Sequence, residues 1–129
     1  MIPDLGDDEL TAALGRTPGR RERQRGAETI WFDADRVLLA DLAVPGADAA
    51  MVFDGLREAA ARTGHLSVVL DEPPIRAMVV PAGLPGAQQA VAGDDTSVLT
   101  LVLPRGFPAT AADAAARLLA GRLRDRPVD

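Results

Sequence analysis

From Glu28 onward short apolar runs alternate with segments of helical period, and that rhythm predicts an α+β domain. Thr29-Ile30-Trp31-Phe32 reads as a strand, Asp33-Ala34-Asp35-Arg36 as a turn, and Val37 to Val44 as a second strand, so the pair predicts a hairpin. Pro45-Gly46 breaks it. Asp48 is placed to cap a helix that runs to about Thr63, with Gly64 at the position beyond the last turn that glycine favours. Val52, Phe53, Leu56, Ala59, Ala60 and Thr63 fall on one side of that helix, and Glu58 and Arg62 form an i,i+4 pair on the other.

Leu66-Ser67-Val68-Val69-Leu70 predicts a third strand, Asp71-Glu72-Pro73-Pro74 a turn, and Ile75 to Val80 a fourth strand. Residues 81–95 are rich in Gly and Ala and read as a loop, with one helical turn around Gln88-Gln89-Ala90-Val91. Val98 to Leu103 is the fifth strand. Thr110 and Asp113 resemble a capping box opening a last helix, in which Ala112, Ala115, Ala116, Leu119 and Leu123 share a face. Gly55 and Gly121 sit inside the two helices at a cost of about 1 kcal/mol each relative to Ala. Close approach of helix backbone to sheet is the expected compensation. The expected architecture is a mostly antiparallel five-stranded sheet with two main helices on one face, in the order (short helix)–β–β–α–β–β–β–α.

Residues 1–26 differ from the rest. Asp7 to Leu14 has the pattern of a short helix ended by Gly15, and Arg16 to Gly26 is polar and Arg-rich, so the whole stretch reads as a flexible charged arm ahead of one domain at 27–129. Its arginines suit an acidic partner or nucleic acid, or simply a solvated tail. With a net charge of −5 the chain as a whole is a poor polyanion binder, so nucleic acid is not the expected partner.

At 129 residues the chain is long enough for one layered core. Every basic side chain is Arg, as GC-rich coding favours, and there is no Lys, Cys, Tyr or Asn. Those absences remove P-loop and Schiff-base lysines, thiol nucleophiles, iron–sulfur ligation and phenolic acids. His65 is the single histidine, too few for a multi-histidine zinc site. Pro81-Ala82-Gly83-Leu84-Pro85-Gly86 fits neither a dinucleotide nor a Walker spacing. No cofactor is implied. The acidic start does not resemble a secretory signal, and no apolar run approaches the roughly 18 residues of a membrane span, so a cytoplasmic protein is expected.

Alternation along the third strand puts His65, Ser67, Val69 and Asp71 on one face, which invites comparison with a catalytic triad. Same-face neighbours on a strand are about 6.5–7 Å apart, too far for a direct nucleophile–base hydrogen bond. Asp33 with Asp35 and Asp94 with Asp95 serve turns better than a metal, which would need more oxygen ligands. Trp31 fits either a partner anchor or core packing. In the second strand Val37, Leu39 and Asp41 alternate away from Leu38, Ala40, Leu42 and Val44. If both helices cover the latter set, the open face carries Val37, Leu39, Asp41, His65, Val69, Asp71 and Arg76, with Met78 or Ala77 beside them. Such a half-apolar face suits subunit contact or a ligand groove.

The element order carried by Val37–Val44, Asp48–Thr63, Leu66–Val80, Val98–Leu103 and Ala111–Arg124 resembles that of roadblock/longin-type, profilin-like domains. The resemblance implies a non-catalytic dimer that scaffolds or regulates small GTPases. It shares no specific motif, and the 81–95 connection and weak first helix depart from the pattern. The rhythm is also similar to the acyltransferase fold of peptide-synthetase condensation domains, but their His-His-x-x-x-Asp motif is missing and the chain is short. The expectation is a non-catalytic interaction module, a homo-oligomer or bound to a protein partner through its open sheet face. A small enzyme or ligand-binding subunit using a groove on that same face is one alternative, and binding of nucleic acid or an acidic partner through the Arg-rich arm is another.

Overall fold

The computed structural model describes Asp8, Ala12 and residues 20–23, 28–33, 36–45, 49–82, 86–103 and 105–124; between 20 and 49 it defines backbone alone. In chain order the elements are β1 (Arg20–Arg23), β2 (Glu28–Asp33), β3 (Arg36–Pro45), α1 (Ala49–Arg62), β4 (Ser67–Glu72), β5 (Ile75–Pro81), β6 (Gln88–Gly93), β7 (Ser97–Leu103) and α2 (Ala109–Arg124). All the strands form one sheet in the order β1-β2-β3-β7-β6-β5-β4, antiparallel at every pairing. The α+β class and the antiparallel sheet match the sequence reading. Among the described residues the sheet has seven strands, two more than the sequence reading placed.

One added strand is β6, which occupies the stretch read as a loop with a helical turn. Gln-Gln-Ala-Val-Ala-Gly has little β-propensity of its own. It becomes a strand because it lies between β5 and β7 and hydrogen-bonds to both, a case of tertiary context overriding local preference. Four strands rather than three therefore separate the helices, a further departure from the roadblock-like order. The other added strand, β1, falls within the stretch read as a flexible arm; most of the rest of that arm lies outside the described residues.

The helices lie on opposite faces of the sheet, which corrects the expectation that both cover one face. Met78, Val80, Val91 and Val98 pack with Phe53 and Ala60 of α1. Their strand neighbours Ala77, Val79, Ala90, Ala92, Leu99, Leu101 and Leu103 pack with Ala111, Ala112, Ala115, Ala116, Leu119, Ala120 and Leu123 of α2. The physical reason is legible in β7, where Val98 to Leu103 is apolar or Thr throughout and nearly all buried. A strand with apolar residues at both alternations needs cover on both sides. The larger core is aliphatic, and Leu101, Leu103 and Leu119 are among its fully buried side chains, each contributing about 1.5–3 kcal/mol.

Both helix ends have specific closures. Gly64, with φ +75, takes the left-handed position after α1. The Gly64 N–H bonds the Ala61 carbonyl at 3.2 Å and the His65 N–H bonds Ala60 at 3.0 Å, the paired bonds of a Schellman motif. Glu58 and Arg62 make the expected ion pair at 2.9 Å. At α2 the first bond runs from the Ala111 N–H to the Pro108 carbonyl at 3.0 Å, so the helix starts ahead of the expected capping box, and Asp113 instead pairs with Arg117 at 3.2 Å. Asp48 lies outside the described residues. Gly55 and Gly121 have nothing within 4 Å of where a Cβ would stand, so no close sheet contact accounts for either. No described helix is long and apolar enough to cross a membrane.

Candidate functional site

On the α1 face, where β4 and β5 end beside the helix, four charged side chains and one ring come together. Phe53 projects from α1 onto Gly93 of β6, where a Cβ would stand only 2.9 Å from its ring. That missing side chain lets the ring seat against the sheet. Gly93 is the register partner of Arg76 on β5, so Arg76 emerges next to the seated ring. Its guanidinium stacks 4.3 Å from the Phe53 ring centroid, and Nη1 donates to Asp54 Oδ1 at 3.1 Å. Arg76 is held by ring and carboxylate together, with a cation–π contribution of order 0.5–1 kcal/mol at such a half-open position.

A cleft opens beside this stack, lined by Phe53, Arg57, Val68, Asp71, Arg76 and Met78 among others. Its volume, about 20 Å³, admits roughly one water molecule. Small-molecule sites enclose several hundred cubic ångströms, so this cleft is far smaller than one as it stands. Its charged side chains are two arginines and the Asp71 carboxylate, with no hydroxyl or thiol among the lining residues.

The expected site residues do not meet as a group. Asp71 and Arg76 stand opposite each other in the β4–β5 register and both line the cleft. His65 does not line it; it is exposed, just past the end of α1. Val69 is half-buried and packs with the α2-side core. A β-bulge is the cause: Val68 pairs with Met78 and Leu70 with Ala77, leaving Val69 as an extra residue between them. Ser67, opposite Val79, therefore belongs to an α2-side row, while Asp71, opposite Arg76, belongs to an α1-side row. The shared face read for His65, Ser67, Val69 and Asp71 is not present.

A second bulge acts in the same way at the hairpin. Leu39 pairs with Trp31 and Val37 with Phe32, leaving Leu38 unpaired. Asp41 stands opposite Leu101, in an α2-side row. Counting from Asp41 along the ladder, the Leu39–Trp31 row falls on the α2 side and the Val37–Phe32 row on the α1 side. Asp41 is also three strands from Arg76, about 14 Å at the usual spacing.

Asp94 shows what one aspartate pair does. Its Oδ1 accepts from the Thr96 and Ser97 N–H groups, both at 2.8 Å, closing the β6–β7 hairpin. Asp33 pairs with Arg36 in the β2–β3 register, and Asp35 lies outside the described residues. Among the described residues no three His, Cys, Asp or Glu side chains gather as a metal site would require. Sequence reasoning missed the Phe53–Arg76–Asp54 stack. Its one available signal was Gly93, a glycine late in a stretch read as loop.

Against known proteins, the chain matches no family model, no curated protein and no solved structure.

Proposed function

We propose that this chain is a non-catalytic interaction module that associates with a second copy of itself through the β1–β3 wing of its sheet. One observation carries the reading. Among the described residues α1 packs on β5, β6 and β7, and α2 on β4 to β7, with no comparable packing of either on β1, β2 or β3. Yet the β3 sequence is apolar at both alternations, with Leu38, Ala40, Leu42 and Val44 in one set and Val37, Leu39 and Ala43 in the other. Strands of that composition are covered on both faces in folded proteins. Each 100 Å² of apolar surface left in water forgoes about 2.5 kcal/mol, a drive toward association. The missing Lys, Cys and Tyr, with a single His, favour binding over catalysis.

Light scattering across a wide concentration range, on the wild type and on Leu39→Glu, tests this. The expected result is a concentration-dependent dimer that Leu39→Glu converts to a folded monomer. A wild-type mass that stays monomeric at every concentration removes the proposal.

A further inference from the structure

We infer that α1 is a detachable cover, which leaves the sheet while the rest of the domain stays folded and is held shut by Arg76. The two helices are seated very differently. Seven side chains of α2 are buried. Between Ala50 and Arg62 only Phe53 and Ala60 of α1 are buried; Ala50, Val52 and Leu56 are half-buried and the rest are exposed. Attachment of a helix to a sheet grows with the apolar area it removes from water, so α1 is the element that opens first. Gly55 adds to this, because a mid-helix glycine with no neighbour around it weakens the helix without packing in return.

Opening leaves the ladder intact. β5, β6 and β7 hydrogen-bond to one another, and their other face stays under α2. What opening uncovers is the strip Met78, Val80, Val91 and Val98, in which Met78, Val91 and Val98 are fully buried while α1 is in place. The domain therefore holds a second apolar surface in reserve, presented only when the cover lifts.

The latch is one side chain that grips α1 twice. Arg76 on β5 stacks on the Phe53 ring at 4.3 Å and donates to Asp54 at 3.1 Å. Both contacts exist only in the closed arrangement and are lost together when α1 lifts. The Glu58–Arg62 pair lies within α1 and does not tie it to the sheet. Among the described residues no other ion pair joins α1 to a strand.

The cysteine-free sequence supplies the reporter. Val91 and Ala92 are neighbours on β6, both fully buried, Val91 under α1 and Ala92 under α2. In the full chain a thiol reagent should label Val91→Cys at least tenfold faster than Ala92→Cys. Adding Arg76→Ala should speed labelling of Val91→Cys about tenfold and leave Ala92→Cys unchanged. Arg76→Lys, which keeps the charge but loses the planar stack, should fall between. In the unsubstituted chain, hydrogen-exchange protection at the centre of α1 should be at least tenfold lower than at the centre of α2. Equal protection of the two helices, or equal labelling at the two sites, overturns the inference, because α1 then leaves only on global unfolding. An opening of α1 that Arg76→Ala does not hasten overturns Arg76 as its latch. Should Arg76→Ala fail to fold, labelling rises at both sites alike and Arg76→Lys decides the latch.

Discussion

The helix-clad part of the sheet and the β1–β3 wing share one antiparallel ladder but differ in what packs on them. In the clad part, β5 and β7 are buried on both faces because α1 and α2 supply an apolar stripe to each. In the wing, β2 and β3 are partly apolar in sequence while β1 is Arg-Arg-Glu-Arg, and all have backbone partners with no described helix packed on them. Hydrogen bonding between strands sets register; it does not remove apolar side chains from water. A sheet can therefore be continuous in its ladder while its burial stops partway along.

The sharpest test of this contrast is native-state hydrogen exchange. Amides of β6, hydrogen-bonded on both sides within the doubly covered part, should open only with global unfolding. Those of β2 should exchange through sub-global openings that cost several kcal/mol less in dilute protein. Equal protection in β2 and β6 would erase the distinction. A smaller effect is expected at Gly93→Ala, which sets a methyl against the Phe53 ring where the gap is 2.9 Å. Overpacking there should cost about 1–3 kcal/mol in a denaturant melt and loosen α1 from the sheet. Unchanged stability would mean that α1 is not tightly seated. Smallest, and of opposite sign, is Gly55→Ala. This position is exposed, mid-helix and open around its Cα, so the substitution should raise stability by about 0.5–1 kcal/mol. Destabilisation there would point to a contact on the outer side of α1.

Much of the architecture was legible in the chain. The β2–β3 hairpin, α1 with its glycine stop, the β4–β5 pair and the buried stripe of α2 all follow from period, turn residues and caps. Strand β6 was not legible, because alanine and glutamine become a strand only between two partners. The opposite placement of the helices was written in β7, whose apolar residues stand at both alternations, but the inward stripes of two helices do not say which side each takes. The candidate site was least legible. Alternation assigns faces only while the ladder is regular, and bulges at Leu38 and Val69 each reverse it.

By itself the sequence determined which segments are helices and which are most of the strands, where they stop, and which chemistries lack their residues. These follow from interactions among neighbours a few positions apart. Only the tertiary structure decided that Arg76 stacks on Phe53, that Asp41 and Asp71 belong to opposite faces, and that the wing lies beyond the helices. Each of those depends on pairing register and on which side of a sheet a helix takes, and both are settled by contacts between residues far apart along the chain.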